Sequence, residues 1–161
     1  MERWGVSGAH GHLGKSICSL LEQSGQEVIR IDRSGFVPPV DRIIDMAAYG
    51  NLASQKDIIV TYEANVIRLI NVLQYGVNHN VKSFVLTSTS AVNLPVQTPY
   101  SASKKAAEEV GQIFARDFNL PVIIIRPMSV YGPDEQKAHL IPKLIDSCLN
   151  GTKMPFVGEP C

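Results

Sequence analysis

Short continuous apolar runs alternate along this 161-residue chain with longer stretches in which apolar residues recur at helical spacing. The continuous runs have the length of buried β-strands. They are a run ending at Ser7 and residues 28–31, 41–48, 83–87 and 121–126. The stretches between them favour helices with one apolar face, because their apolar side chains repeat every three or four residues. This alternation predicts an α/β fold with a Rossmann-like, doubly wound parallel sheet.

The predicted helices carry recognisable signals at their ends. They are expected to begin after Gly11, near Ser54, at Pro99 and near Ile141. Thr98 is the N-cap expected before Pro99, Asn119 stops the same helix, and Gly151 ends the last one. All 161 residues are assigned to a single domain.

The connector between the second and third predicted strands is short. Joining two parallel strands normally takes a crossover of about a dozen residues or more. Only residues 33–40, which include two prolines, are available here. The sequence therefore predicts that this connection has been shortened.

Gly8, Gly11 and Gly14 stand where the first strand turns into the first helix. Glycine allows backbone angles and a close phosphate approach that a Cβ would block, and the helix start presents unpaired N–H groups. Asp32 ends the next strand, where its carboxylate could accept hydrogen bonds from an adenosine ribose. The pattern predicts a dinucleotide site that prefers NAD to NADP, although Arg33 could pair with a 2′-phosphate. Glycines at this spacing also occur in helix caps and ordinary loops.

Tyr100 and Lys104 are four residues apart at the start of the third predicted helix, so their side chains share one face. A cation near a phenol favours the phenolate, which lowers the pKa of the tyrosine. Thr89, at the end of the preceding strand, could hold a substrate oxygen. These residues predict proton transfer by Tyr100 coupled to hydride transfer with a nicotinamide. The alternative is that both are solvated polar tips of an amphipathic helix.

The composition is that of an ordinary globular protein, with 45% hydrophobic residues and a net charge of zero. This balance gives no reason to expect nucleic acid or an anionic membrane as a partner, and no apolar run has membrane-spanning length. Cys18, Cys148 and Cys161 lack metal-ligand spacing and suit reduced thiols. His10 and His12 are interpreted as solvent-facing rather than metal-binding. With no room for a signal peptide before the first strand, a cytoplasmic location is expected.

Seven sequence blocks follow one another along the chain. They are Gly8-x-x-Gly11-x-x-Gly14, Asp32, residues 41–48, Tyr62-x-x-Asn65-Val66, residues 84–89, Pro99-Tyr100-x-x-Ser103-Lys104 and Arg126-Pro-x-x-Val-Tyr-Gly-Pro133. In this order they resemble the extended short-chain dehydrogenase/reductases, specifically the NAD-dependent epimerase/dehydratase group that acts on nucleotide sugars. The resemblance runs from Val6 to about Val157, and it implies NAD as cofactor and a nucleotide sugar as substrate.

The resemblance also implies individual roles. Tyr100 is the implied general acid/base, Thr89 the catalytic hydroxyl, and Lys104 the lysine that lowers the tyrosine pKa and binds the cofactor ribose. The implied cofactor-binding residues are Gly8, Gly11, His12, Leu13, Gly14, Asp32, Arg33, Met46, Ala47, Ala48, Asn65, Thr87, Ser88, Tyr100, Lys104 and Pro127. A homodimer is implied as well, in which the helices over residues 66–77 and 100–114 form a four-helix interface.

The chain departs from the family pattern at several points. The strand and helix expected between Asp32 and Asp41 are missing, and residues 135–161 are interpreted as a remnant of the substrate-side region. Asp45 replaces a common histidine. No Asp-Glu pair follows Thr89, which disfavours the dehydratases of the family.

Three interpretations of the function follow from the sequence. The chain is an NAD-dependent epimerase or reductase of a nucleotide sugar, a non-catalytic NAD-binding or regulatory module, or a remnant in which the cofactor site has failed. A truncated or internally deleted version of a longer enzyme is compatible with each of them.

Overall fold

The computed structural model describes residues 1–32, 38–52, 54–132 and 135–153. It comprises two compact units, residues 1–128 and residues 129–161. The strands of the first unit are β1 (Arg3–Ser7), β2 (Glu27–Ile31), β3 (Arg42–Asp45), β4 (Ser83–Thr87) and β5 (Val122–Ile125). Its helical elements are α1 (His12–Gln23), α2 (Ile58–Tyr62), a π-helical segment (Glu63–Ile67), α3 (Arg68–Asn78), a 3₁₀ turn (Ser90–Asn93) and α4 (Pro99–Phe118). The second unit contains α5 (Leu140–Asn150).

The five strands form one parallel sheet in the order β2-β1-β3-β4-β5. The chain leaves β2 on one side of β1 and returns as β3 on the other, so the strand order reverses between β1 and β3. Ligands of open parallel sheets bind at such a switch point, outside the carboxyl ends of the strands. The predicted doubly wound sheet is confirmed. Within the described residues β2 is one of its two edge strands, which agrees with the predicted loss of a strand and helix after Asp32.

The main core lies between the sheet and two helices, α3 and α4. Its fully buried members include Ile43, Leu69, Val72, Leu73, Phe84, Leu86 and Ala107. A smaller apolar cluster on α1, β1 and β2 is built around Val6, Ala9 and Cys18. Both clusters follow the apolar periodicity of the sequence, because burial of these faces is the main force that holds helix against sheet.

The prediction of a fully buried strand over residues 121–126 is wrong for one face of β5. Val122 and Ile124 pack on the main core, whereas Ile123 and Ile125 are 54% and 40% exposed. Successive side chains of a strand point to opposite faces. Since α1 packs against β1 and β2, it leaves this face of β5 open.

Two predicted element boundaries need correction. The helix expected near Ser54 begins at Ile58, because the carboxylate of Asp57 accepts a hydrogen bond from the Val60 N–H at 3.0 Å and caps the helix there. The strand expected over residues 41–48 ends at Asp45. The following N–H groups turn to the Ser7 hydroxyl, which takes the chain out of the strand ladder.

The predicted ends of α4 and α5 are confirmed. Thr98 caps α4 in a reciprocal arrangement, in which its hydroxyl accepts the Ser101 N–H and the Ser101 hydroxyl accepts the Thr98 N–H. Asn119 ends α4 with φ of +54°, and Gly151 ends α5 with φ of +63°. Both left-handed conformations are typical of helix C-termini.

Candidate functional site

The carboxyl ends of four neighbouring strands are level with one another. Partners across β2, β1, β3 and β4 are Ile31, Ser7, Asp45 and Leu86. The next residues along each strand are Asp32, Gly8, Met46 and Thr87. All four belong to the predicted cofactor-binding set, so the sheet register brings that set to one edge.

The glycine loop is closely packed against the end of β3. Gly8 has φ of +66°, and a Cβ there would lie 2.8 Å from the Ala47 nitrogen and the Met46 carbonyl group. A Cβ on Gly14 would lie 2.8 Å from the Ala9 Cα and the Gly8 carbonyl carbon, and closer still to the Gly8 oxygen. Only glycine fits at these two positions without moving backbone.

The first turn of α1 begins directly after this loop. Gly11 is its N-cap, and the Gly11 N–H donates to the Gly8 carbonyl at 2.9 Å. His12 and Leu13 are the first two helical residues, so their N–H groups belong to the unpaired set at a helix start. The loop and helix have the arrangement that binds phosphate groups in other proteins.

His12 differs from its predicted surroundings. His10 is exposed, as expected, but both ring nitrogens of His12 are buried, so the solvent-facing interpretation is wrong for that residue. Within the described part of the chain these nitrogens have no hydrogen-bond partner, and the same holds for the buried Thr87 hydroxyl. Buried polar groups are normally paired. An unpaired imidazole directly after the glycine loop and an unpaired hydroxyl at the end of β4 therefore fit a polar ligand.

Asp32 follows β2 directly and is exposed. Its neighbour Arg33 lies outside the described residues. The carboxylate thus stands at the edge strand of the sheet, next to the β1 carboxyl end that leads into Gly8.

A buried ion pair lies at the carboxyl end of β3. Asp45 is 1% exposed, and its two carboxylate oxygens accept hydrogen bonds from Arg68 at 2.8 and 2.9 Å. The Ser7 hydroxyl donates to the same carboxylate and accepts the N–H groups of Met46 and Ala47, each at 3.1 Å. These contacts fix the turn after β3, while Ala48 that follows is exposed.

Asn65, within the π-helical segment, is 2% exposed and has protein partners for both ends of its amide. Its oxygen accepts the Tyr49 N–H and its nitrogen donates to the Tyr49 carbonyl and the Ser103 hydroxyl, all at 2.8 Å. Asn65 therefore joins the loop after β3 to α4. The prediction that it also contacts the cofactor stays a prediction.

Tyr100 and Lys104 occupy successive turns at the start of α4. Burial raises the pKa of Tyr100, which corrects the expectation that a nearby lysine lowers it. Lys104 is 2% exposed, and burial lowers the pKa of its ammonium. The Asp45 carboxylate opposes that change, since its negative charge favours the protonated lysine. Lys104 is therefore not a solvated polar tip of an amphipathic helix.

The segment after β4 brings together the remaining predicted residues. Ser88 is buried, and Thr89 is the N-cap of the 3₁₀ turn, where its hydroxyl oxygen accepts the Ala91 N–H at 3.3 Å. The Ser90 N–H donates to the Pro127 carbonyl at 3.0 Å. The loops that follow β4 and β5 are therefore tied to each other.

Arg68, Ser7 and the pair formed by Glu108 and Arg126 were missed by the sequence reasoning. Arg126 donates two hydrogen bonds to Glu108 at 2.8 and 2.6 Å, and these hold the pKa of the Glu108 carboxyl below its usual range. Arg126 belongs to the last of the seven sequence blocks, but its partner was not identified. A glutamate on the buried face of α4 was the one available signal, because a buried carboxylate needs a charged or hydrogen-bonding partner.

Among the described residues, no cluster of His, Cys, Asp or Glu side chains could hold a metal ion. Over the same residues, none of the helices has the length and apolar character needed to cross a membrane.

The chain is similar to known proteins in both its sequence and its structure. The model of the family described as NAD dependent epimerase/dehydratase matches residues 4–159. A dTDP-D-glucose 4,6-dehydratase of Dictyostelium discoideum is 31% identical over 144 residues, which cover 74% of this chain and 33% of the relative. A UDP-2-acetamido-2,6-beta-L-arabino-hexul-4-ose reductase of Pseudomonas aeruginosa is 30% identical over 131 residues, covering 79% and 35% respectively. The chain thus spans about a third of the length of these two relatives.

Solved structures share the fold. The dTDP-glucose 4,6-dehydratase of Bacillus anthracis, in complex with NAD, gives a TM-score of 0.84 at 23% identity and covers 99% of this chain and 65% of that one. The UDP-glucose 4-epimerase of Thermotoga maritima, with UDP-glucose, gives 0.86 at 19% identity and covers 98% and 66%. The family match extends over nearly the whole sequence and includes every block of the site. This chain belongs to the NAD-dependent epimerase/dehydratase family.

Proposed function

We propose that the chain binds NAD at the carboxyl edge of its sheet and catalyses NAD-dependent epimerisation or reduction of a nucleotide sugar, with Tyr100 as general acid/base. Lys104 is the observation that supports this most. It is 2% exposed, one helical turn from Tyr100, and no hydrogen bond or ion pair of its ammonium is found among residues 1–32, 38–52, 54–132 and 135–153. Burial disfavours the charged ammonium, and a hydrogen-bond acceptor of a bound ligand would offset that cost, which favours a ligand-binding role.

The residues of the edge fit a dinucleotide. Gly8 and Gly14 keep the loop free of side chains, and the start of α1 would hold the diphosphate. The His12 ring and the Thr87 hydroxyl are unpaired donors in the described chain and would contact polar groups of the same ligand. Asp32 would accept hydrogen bonds from the adenosine ribose. When bound, NAD supplies or accepts a hydride at the sugar carbon.

Tyr100 would move the proton at the sugar oxygen. A tyrosine phenol, with its ordinary pKa of about 10, is already protonated at neutral pH, and burial raises the pKa of Tyr100 further; in this form it can donate to a carbonyl oxygen. A carbonyl group that gains a hydride at carbon and this proton at oxygen becomes an alcohol, and the reverse transfer oxidises the alcohol. Thr89 would hold the same oxygen with its hydroxyl, and Lys104 would bind the cofactor ribose.

The substrate class comes from the relatives, whose names specify dTDP- and UDP-linked sugars. Reduction or epimerisation is favoured over dehydration because Ser90 and Ala91 follow Thr89, where family dehydratases have an acidic pair. A non-catalytic NAD-binding module is the second candidate, supported by the short span of the chain relative to these proteins. The homodimer and the cytoplasmic location stay predictions.

Calorimetric titration with NAD, followed by turnover assays on UDP-, dTDP- and CDP-linked sugars, tests the proposal. NAD binding together with turnover supports an enzyme. Saturable NAD binding without turnover on any sugar favours the second candidate, and failure to bind NAD contradicts both.

A further inference from the structure

The ion pair of Asp45 and Arg68 joins β3 to α3 at the site, and Arg68 also contacts the π-helical segment. Both Nη atoms of Arg68 bind the carboxylate, and the two side chains are 11% and 2% exposed for Arg68 and Asp45 respectively. The Arg68 Nε also donates to the Ala64 carbonyl at 3.1 Å. A desolvated pair with two parallel hydrogen bonds is held in one orientation, unlike exposed ion pairs. Neither the glycine loop nor the proposed proton transfer accounts for it.

The pair is linked to the turn that supports the glycine loop. Ser7 bridges them, because its hydroxyl donates to Asp45 and accepts the N–H groups of Met46 and Ala47. Arg68 donates to the Ala47 carbonyl at 3.4 Å. The same turn lies so close to Gly8 that a Cβ on Gly8 would meet it at 2.8 Å. A shift of the ion pair would therefore move the Met46 and Ala47 backbone, against which the glycine loop packs.

The pair also acts on Lys104. The charged groups that affect its ammonium are Asp45 on β3, Arg68 on α3 and Glu108 on α4 itself. The two carboxylates favour the protonated lysine and Arg68 disfavours it, with Asp45 the strongest of the three. The net effect of the pair is to favour the charged ammonium against the burial that opposes it.

We infer that Asp45 and Arg68 are positioning residues of this site: they clamp the turn at Met46 and Ala47 against the glycine loop. The inference rests on the proposed function for its purpose, but the clamp itself is a property of the chain without a ligand.

Two variants test the inference in the absence of NAD. Asp45→Asn removes the negative charge, and Asp45→Asn combined with Arg68→Met removes both charges, so that no buried cation is left without its partner. The titration of Lys104 is followed by NMR of ¹³C-labelled lysine, with Lys104→Arg to assign its signal. Hydrogen exchange of the Met46 and Ala47 amides reports the turn. Glu22→Gln, which breaks an exposed pair with Arg30, is the control.

Asp45→Asn is expected to lower the pKa of Lys104, because it removes the carboxylate charge that favours the protonated ammonium. The double variant is expected to fall between Asp45→Asn and the parent, because it also loses the opposing charge of Arg68. Exchange at Met46 and Ala47 should quicken by roughly tenfold or more in both variants, as local opening becomes easier. Glu22→Gln should change neither quantity.

A merely structural pair predicts a different outcome. In that case the double variant, compared with the parent under conditions of equal Tm, shows the parental Lys104 titration and the parental exchange rates. This result would overturn the inference. A separate NAD titration of the parent decides the proposed function. Its failure would leave the cofactor-free measurements unchanged, so the two ideas fail separately.

Discussion

Replacing Gly14 with alanine tests the close packing of the glycine loop. The added Cβ would lie 2.8 Å from the Ala9 Cα and the Gly8 carbonyl carbon. Non-bonded carbons prefer about 3.5–4.0 Å, so the loop must move by roughly 0.7 Å or more. Such overpacking costs about 1–3 kcal/mol, whereas alanine inside a helix gains about 1 kcal/mol over glycine. The difference is a net loss of about 0–2 kcal/mol. Because the backbone cannot rotate away as a side chain can, we expect the upper half of this range, about 1–2 kcal/mol.

Thermal unfolding and NAD calorimetry measure the two consequences. For a chain of this size, Tm should fall by about 2–8 °C. The affinity for NAD should weaken by at least about tenfold, because displacements near 1 Å at a binding site have large effects.

Gly76→Ala is the matched control, since Gly76 also lies inside a helix. Its added Cβ would meet only the side-chain ends of Leu120 and Val81, each at 3.2 Å, which are able to adjust. Parental NAD affinity is expected for this variant. If Gly14→Ala retained both the parental Tm and the parental affinity, the loop would not be the close-packed cradle described above.

Three further predictions concern charge, cofactor choice and assembly. Lys104→Met should raise the free energy of unfolding at neutral pH by about 1 kcal/mol while weakening NAD binding. Because folding lowers the pKa of Lys104, urea titrations should show this gain in stability vanish as the pH rises above 10.5, the ordinary pKa of lysine. Calorimetry should show tighter binding of NAD than of NADP, with the difference reduced in Asp32→Asn; equal affinity in the parent would count against the role of Asp32. Light scattering at about ten micromolar should show a dimer. Ile67 is 56% exposed, and Ile67→Asp should convert that dimer to a monomer; a monomeric parent would refute the predicted dimer.

Local signals were sufficient for much of the fold. Apolar periodicity predicted the order of strands and helices, because burial of one face is what each element requires of its sequence. Thr98, Asn119 and Gly151 marked helix ends, since the cap depends on the side chain or backbone freedom of those residues. Gly8 and Gly14 were identifiable for the same reason: only glycine meets the local geometry.

Features set by distant parts of the chain were not predictable. Arg68 lies 23 residues from Asp45, and no local pattern joins them. The pKa of Tyr100 was expected to be lowered by the lysine one turn away, but burial by the surrounding elements raises it. The exposure of Ile123 and Ile125 depends on how far α1 extends across the sheet. The sequence of β5 carries no information on that.

The proposed role of Tyr100 is tested most directly by the rate of Tyr100→Phe on a nucleotide sugar that the parent converts. Tyr75→Phe is the control, because the Tyr75 hydroxyl donates to the Pro38 carbonyl at 3.1 Å and has no part in the proposed chemistry. We expect Tyr100→Phe to bind NAD as the parent does while its turnover falls by about 10²–10⁴-fold, the usual contribution of a general acid/base. A rate within about threefold of the parent, well below that contribution, would contradict the account.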